Sequence, residues 1–179
     1  MKAEIYEQAR EAALSYFQKA GIALTESERQ NVEVADFGLD DLARTGLELV
    51  TYLNTNRCCA KELVLFPGQT CPEHRHPATA AGDGKEETFR CRWGRVSLYV
   101  PGEPVASPAA LPPAGDEAHY TVFHEIVLCP GQQYTLAPDT PHWFQGGPEG
   151  AVVSEFSTTS RDEADIFTDP RIRRATVIE

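Results

Sequence analysis

Two histidines separated by one residue, His74 and His76, are the residues of this sequence best suited to bind a metal ion. In an extended strand, residues two apart point to the same side, so both imidazoles can reach one point. Imidazole nitrogens are common ligands of divalent transition metals. The pair alone is weak evidence, because two histidines on one exposed face also occur without a metal.

Two residues outside the pair could complete the set of ligands. Glu87 begins the next predicted strand, and a hairpin would bring it back beside the histidines. His142 comes much later, at the end of residues 138–142 and directly after another predicted strand. Three imidazoles and one carboxylate suit Mn²⁺, Fe²⁺, Co²⁺, Ni²⁺ or Zn²⁺, and the order of affinities does not say which is bound in the cell. The alternative is that the four residues line the mouth of a barrel without a metal.

The elements that must position these residues are mostly strands. Short segments rich in β-branched and apolar residues alternate with turn signals such as Pro67-Gly68 and Pro130-Gly131. Many short strands without a βαβ alternation predict a β-sandwich or β-barrel. The predicted strands are residues 47–53, 58–66, 88–93, 96–100, 120–128, 133–136 and 152–156.

The first 45 residues have a different character. Apolar residues recur at helical spacing up to Ala20, and Gly21 follows as a typical helix C-cap. Thr25 and Glu28 have the spacing of a capping box, which predicts a second, shorter helix. We therefore predict an N-terminal helical appendage over residues 1–45 and a β-barrel over residues 46–179, within one structural domain.

Composition and charge limit the classes of function. The 179 residues include 16 basic and 27 acidic ones, and the net charge of −11 disfavours binding to nucleic acid or to an anionic membrane. We expect no membrane span and no signal peptide, because apolar runs are short and the N-terminus is polar. The five cysteines are odd in number and contain no C-x-x-C pair, which indicates free thiols and a cytoplasmic protein.

The spacing of the predicted ligands resembles the first motif of the cupin superfamily. That motif has a glycine, five residues, an H-x-H pair, a short gap, a glutamate, six residues and a second glycine. The gap here is ten residues, where the family usually has three or four, and we assign the difference to a loop at residues 78–85. Adjacent strand residues face opposite sides, so only one of Glu86 and Glu87 can be the ligand, and the six-residue spacing selects Glu87. The matching residues are Gly68, His74, His76, Glu87 and Gly94.

The second cupin motif is represented by Gly131, Pro138 and His142, with Thr140 where the motif has a glycine. The resemblance implies an all-β fold, a single jelly-roll type cupin barrel, to which the N-terminal helices are added. Cupins include dioxygenases, isomerases and sugar-sensing proteins without catalysis, so the barrel does not name a reaction.

Three longer segments resemble the short D-lyxose isomerases. They are AKELVLFPGQTCPEHRH at residues 60–76, GKEETFRCR at residues 84–92 and VSEFSTTSRDE at residues 153–163. Members of this family interconvert D-lyxose and D-xylulose, and often D-mannose and D-fructose, using Mn²⁺. The resemblance implies the same reaction on a sugar substrate, with Mn²⁺ or, alternatively, Co²⁺ or another divalent metal. It also implies a substrate contact by Lys61 and metal binding by His74, His76, Glu87 and His142.

Further residues are candidates for catalysis and sugar binding. Aldose–ketose isomerisation moves a proton between two neighbouring carbons, a task suited to a carboxylate. We select Glu155 as the acid/base and Lys61 as a residue that holds a sugar oxygen or assists proton transfer. The alternatives are an ion pair for Glu155 and a surface position for Lys61. Aromatic residues that could wall the pocket or belong to the core are Phe89, Trp93, Trp143 and Phe144, and C-terminal residues that could close it are Arg161, Asp162 and Asp165.

Two other functions remain compatible with the sequence. A cupin dioxygenase would use Fe²⁺ and consume O₂, and a non-catalytic sugar-binding cupin would need no acid/base. We also predict a homodimer, because open sheet edges and a helical appendage leave apolar surface to cover and two-fold pairing is the common solution. The resemblance implies the same assembly.

Overall fold

Nine strands and two α-helices are formed by the residues that this computed structural model describes, 1–80 and 82–179. The prediction of an all-β fold with N-terminal helices is confirmed. The helices are α1 (Ala3–Lys19) and α2 (Glu26–Gln30). The strands are β1 (Glu33–Ala35), β2 (Leu47–Asn54), β3 (Cys59–Leu65), β4 (Thr70–Arg75), β5 (Glu87–Val100), β6 (His124–Leu128), β7 (Gln133–Leu136), β8 (His142–Ser157) and β9 (Ile166–Phe167).

The two longest strands, β5 and β8, pair with each other along most of their length and close the barrel. The second half of β8 also pairs with β3, which continues to β2 and β1. The first half of β8 pairs with β4, which continues to β9. One strand therefore belongs to both walls of the barrel, and it brings β3, β4 and β5 around a common interior.

Glycines shape the pairing of the two long strands. Gly94 has φ +71° and Gly150 has φ +87°, and a Cβ on Gly94 would lie 2.1 Å from the carbonyl oxygen of Gly150. The register between the strands shifts on both sides of Gly94. The segments predicted as two separate strands, residues 88–93 and 96–100, form one continuous strand, because Gly94 permits a bulge within it.

The shortest strands, β1 and β9, escape prediction because three and two residues are too few to show a strand pattern. The predicted strand at residues 120–128 is shortened, since β6 begins only at His124. The capping box is confirmed: Thr25 Oγ1 accepts from the Glu28 amide, and the Glu28 carboxylate accepts from the Thr25 amide at 2.7 Å.

Helix α1 packs on the outer face of the sheet. Phe17 and Ala13 contact Val50, Val64 and Val152 in a buried apolar layer. Because side chains alternate along a strand, the neighbours of these valines point into the barrel. The helix therefore supports the wall of the barrel from outside and does not reach its interior.

The C-terminal segment crosses one end of the barrel and returns to the N-terminus. The amide of Arg173 donates to Phe37 O at 2.9 Å, and the N-terminal ammonium of Met1 donates to Val177 O at 2.8 Å. The division of the chain at residue 45 stays a prediction. Within the described residues, no helix is long and apolar enough to cross a membrane.

Candidate metal and sugar site

Three imidazoles meet inside the barrel. His74 is on β4 and His142 is its cross-strand partner on β8, and His76 follows two residues after His74 on the same side. One nitrogen of each ring lies within 4.8 Å of one nitrogen of the other two. All three residues are buried, since the exposed fraction is 7% for His74, 6% for His76 and 1% for His142. The H-x-H pair and the distant His142 thus form one cluster.

Each imidazole is oriented through its Nδ1 atom. Nδ1 lies 2.8 Å from Pro72 O in His74 and 2.9 Å from Thr140 O in His142. In His76 it contacts the carboxylate of Asp165. Carbonyl and carboxylate oxygens accept hydrogen bonds, so Nδ1 carries the proton in each ring. In the neutral ring, Nε2 then keeps the lone pair that a metal needs.

The carboxylate of Glu87 completes the cluster. Its Oε1 atom lies 3.1 Å from Nε2 of His76 and 3.1 Å from Nε2 of His142. These three atoms are buried, and while the rings are neutral none of them has a hydrogen-bond donor among the described residues. Buried acceptors that face one another repel unless a positive charge lies between them. The donor set therefore fits a divalent cation.

The electrostatics of the cluster also attract positive charge. Burial lowers the pKa of His76, but the carboxylates of Glu87 and Asp165 outweigh this effect and raise it to about 9. Burial and the neighbouring imidazoles hold the pKa of His74 well below its usual value. Burial raises the pKa of Glu87, whereas Lys85 and the histidines lower it further, so Glu87 stays ionised. In the absence of a cation the cluster recruits a proton, which a metal would displace.

Lys85 is a site residue that the sequence analysis missed. Its Nζ atom lies 2.8 Å from Oε2 of Glu87 and 3.0 Å from Oε1 of Glu155, and only 6% of the residue is exposed. The sequence contained one signal for it. Lys85 precedes Glu87 by two residues, the spacing that places two side chains on one side of a strand.

Lys61 and Asp162 form a second buried ion pair in the same interior. Lys61 Nζ lies 2.9 Å from Asp162 Oδ2 and 3.1 Å from Ser160 Oγ. Burial lowers the pKa of Lys61, but the carboxylates of Glu155 and Asp162 raise it by more. Only 5% of Lys61 is exposed, so it is not a surface lysine.

A cavity lies between these groups. One part of its wall is apolar and the other is charged, which suits a ligand with a carbon skeleton and several hydroxyl groups. The apolar wall consists of Phe37, Leu47, Leu49, Leu63, Cys71, Phe89, Phe144 and Phe167. The polar wall consists of Lys61, His74, His76, Lys85, Glu87, Glu155, Asp162, Asp165 and Arg174.

Trp93 and Trp143, which the sequence analysis considered for the pocket wall, lie elsewhere. Trp93 packs edge-on against Tyr16 of α1, with ring centroids 5.5 Å apart. Trp143 stacks on Tyr99 at 3.9 Å and donates from Nε1 to Val122 O at 2.8 Å. Trp143 follows His142 directly, so the two side chains point to opposite sides of β8. Trp143 is fully buried and Trp93 is half-buried, each in an apolar layer outside the barrel interior.

A second group of possible ligands lies outside the cavity. Asp116, His119 and Asp169 bring one ligand atom each within 4.8 Å of the others. Arg171 already pairs with both carboxylates, at 2.6 Å in the case of Asp169. A cation would have to displace this guanidinium, so we assign the group a structural role.

Comparison with known proteins gave close relatives over the whole chain, although no family model matches it. A D-lyxose ketol-isomerase from Cohnella laeviribosi is 66% identical over 179 residues, which cover 100% of this chain and 98% of the relative. A D-lyxose/D-mannose isomerase from Thermosediminibacter oceani is 62% identical, covering 98% of this chain and 95% of the relative. A D-lyxose ketol-isomerase from a Thermofilum species is 57% identical, covering 96% and 95%.

Solved structures are similar over the same length. L-ribose isomerase from Cellulomonas parahominis, crystallised without ligand, has a TM-score of 0.82 at 19% identity and covers 100% of this chain and 98% of its own. L-ribose isomerase from Geodermatophilus obscurus has a TM-score of 0.78 at 16% identity, with the same coverage. At these identities the likeness concerns the fold, and it confirms the predicted cupin barrel with N-terminal helices.

Proposed function

The chain belongs to the family of D-lyxose ketol-isomerases, and we propose that it interconverts the aldose D-lyxose and the ketose D-xylulose, and also D-mannose and D-fructose. The second pair of sugars is supported by the relative named D-lyxose/D-mannose isomerase. One observation carries the proposal: a buried donor set that fits a metal shares its cavity with Glu155, a carboxylate that is not needed to complete that set.

We propose His74, His76, Glu87 and His142 as the metal ligands and Mn²⁺ as the resident ion, which Co²⁺ could replace. The donor set of imidazoles and one carboxylate supports this choice. A bound divalent cation would polarise the sugar carbonyl and so acidify the neighbouring C–H group. Asp165, considered from sequence as a substrate contact, hydrogen-bonds to His76 and is proposed to orient that ligand.

Glu155 is the proposed acid/base that moves the proton between C2 and C1. Lys85 and Ser157 both donate to its Oε1 atom, at 3.0 Å and 3.2 Å. The second oxygen, Oε2, is left to remove the proton from C2 of the open-chain aldose and return it to C1, while the hydroxyl proton of O2 passes to O1 and C2 becomes the carbonyl carbon. One carboxylate can perform both steps, since it becomes the acid once it has accepted the proton.

Lys61 and Asp162 are proposed to bind the sugar away from the reacting carbons. An ammonium donates to hydroxyl oxygens and a carboxylate accepts from hydroxyl hydrogens, so the pair can hold two neighbouring hydroxyl groups. Phe144 and the other apolar residues of the wall exclude water from the cavity. Exclusion of water strengthens the charged hydrogen bonds and keeps the migrating proton from exchanging with solvent.

Two further proposals concern the state of the protein. We propose a homodimer, supported by exposed apolar side chains on the outer face of the sheet, where Leu53 and Phe156 are 43% and 49% exposed. We propose a cytoplasmic location, supported by five cysteines that are all free thiols. Light scattering at micromolar concentration tests the dimer, and a mass near 19.7 kDa would refute it.

The function is tested by incubating Mn²⁺-loaded protein with D-lyxose and a panel of other aldoses under anaerobic conditions. We expect ketose to form from D-lyxose and D-mannose without oxygen. Oxygen consumption with another substrate, together with no ketose from any aldose, would indicate a dioxygenase instead. Sugar binding without turnover would indicate a non-catalytic module.

A further inference from the structure

We infer that Lys85 is a positioning residue that fixes the metal ligand Glu87 and the acid/base Glu155 relative to each other. Its single ammonium contacts both carboxylates, at 2.8 Å and 3.0 Å. The inference rests on the proposed function for the role of Glu155. The part of the inference that concerns Glu87 is about metal binding alone and does not depend on the proposed reaction.

Lys85 determines which oxygen of Glu87 faces the histidines. It pairs with Oε2, while Oε1 lies 3.1 Å from Nε2 of both His76 and His142. A carboxylate can present one oxygen or two to a cation. With Oε2 held by the ammonium, Oε1 is the atom presented to the centre.

Lys85 fixes the orientation of Glu155 in the same way. The ammonium and Ser157 Oγ both donate to Oε1 of Glu155, so Oε2 remains for the substrate. A rotation of this carboxylate would exchange the two oxygens and move the proton acceptor. Since small errors in the geometry of reacting atoms reduce rates strongly, a fixed carboxylate serves catalysis.

The backbone is shaped to bring Lys85 to this position. Gly84 has φ +91°, and a Cβ at this residue would lie 2.6 Å from His76 O. A side chain at position 84 would therefore push the loop away from the end of β4. Glycine lets the loop pass close to the histidines, and the next residue, Lys85, enters the cavity.

Stability does not account for this arrangement. An ammonium and two carboxylates are buried together, and the loss of their hydration offsets most of their attraction. This buried group of three charges is therefore better explained by the geometry that it imposes on the two carboxylates than by a gain in stability. Lys61 gives an internal comparison, because it is equally buried but pairs with Asp162 and Ser160, neither of them a proposed ligand.

The experiment compares Lys85→Met with Lys61→Met in protein loaded with Co²⁺, whose visible absorption reports the arrangement of its ligands. We expect Lys85→Met to bind about one Co²⁺ per chain with an altered spectrum, because Oε2 of Glu87 is released. We expect Lys61→Met to give the spectrum of the wild type. Lys85→Arg keeps the positive charge and can donate an N–H group to each of the two carboxylates, so it should show the spectrum of the wild type.

In the isomerase assay, kcat of Lys85→Met should fall about 10- to 100-fold, the usual effect of losing a partner that orients a ligand.

An unchanged Co²⁺ spectrum in Lys85→Met would overturn the inference for Glu87. For Glu155, kcat is compared in single and double variants: Lys85→Met should lower kcat much less in a Glu155→Gln background than in the wild type. Equal losses in both backgrounds would overturn the inference for Glu155.

If Lys85→Met does not fold, as judged by circular dichroism, Lys85→Gln takes its place in both tests. If the wild type converts no aldose, the proposed function fails while the spectral comparison still decides the role of Lys85 toward Glu87.

Discussion

The two faces of strands β3 and β8 differ in what they bury. On the outer face, Val64 and Val152 pack against α1 in a layer of apolar side chains. On the inner face, the neighbouring pair Lys61 and Glu155 places charged groups in the cavity. The two valines gain free energy from burial, whereas the two charged residues give up hydration for geometry. Changes to the apolar residues beneath α1 should therefore reduce stability, and changes to the charged residues of the cavity should reduce activity.

The largest effect is expected from the metal ligands. Changing His74 and His142 together to alanine removes two of four donors, so bound metal and isomerase activity should be lost together. Metal analysis after dialysis and the ketose assay measure the two losses. Metal binding that survives the double change would place the ion somewhere else in the chain.

Glu155→Gln keeps the shape of the side chain and removes the proton acceptor. We expect metal and sugar binding to persist while kcat falls by about 10²- to 10⁴-fold, the usual contribution of general acid–base catalysis. Steady-state kinetics and metal analysis on one preparation make the measurement. Nearly full turnover in this variant would remove Glu155 from the mechanism.

Phe17→Ala tests the outer face of the sheet, on which α1 packs. Phe17 is 1% exposed beneath the sheet, and loss of a buried phenylalanine typically costs about 3–5 kcal/mol of unfolding free energy. Urea unfolding should show this loss, while kcat of the folded fraction stays near that of the wild type. Phe123→Ala, at a residue that is 37% exposed, is the matched control and should change stability little. A loss of kcat as large as that of Glu155→Gln would mean that the two faces are coupled.

For Glu48 we expect a smaller effect, on the dependence of folding stability on pH. Burial raises its pKa to about 8, and its Oε2 atom has no hydrogen-bond partner among the described residues. Between pH 4.5 and 8 the unfolded chain ionises at this residue while the folded protein stays protonated, so stability falls as pH rises. Glu48→Gln should remove this loss, on the order of a few kcal/mol at pH 8 and above.

Thermal and urea unfolding from pH 5 to pH 9 measure the effect of Glu48→Gln. The exposed residue Glu103 provides the control, since Glu103→Gln should leave the pH dependence as it is in the wild type. Identical pH dependence in the wild type and in Glu48→Gln would show that Glu48 does not contribute to it.

The sequence was sufficient for a sandwich or barrel of short strands, because turn signals and the two-residue period of strands carry that information, and the resemblance to the cupin motifs implied the barrel and the grouping of the candidate ligands. His74, His76, Glu87 and His142 meet as the spacing predicts. Lys85 was missed because its partner Glu155 is seventy residues away in the chain and becomes a neighbour only through β5 and β8. The two tryptophans were misplaced because residue type indicates burial, whereas strand register determines which side is buried.

The most direct test of the account is a titration of metal-free protein with Mn²⁺ while the conversion of D-lyxose to ketose is followed. We predict that activity rises in proportion to bound Mn²⁺ and saturates at about one ion per chain. Full conversion by the metal-free protein, or no conversion at saturation, would contradict the account.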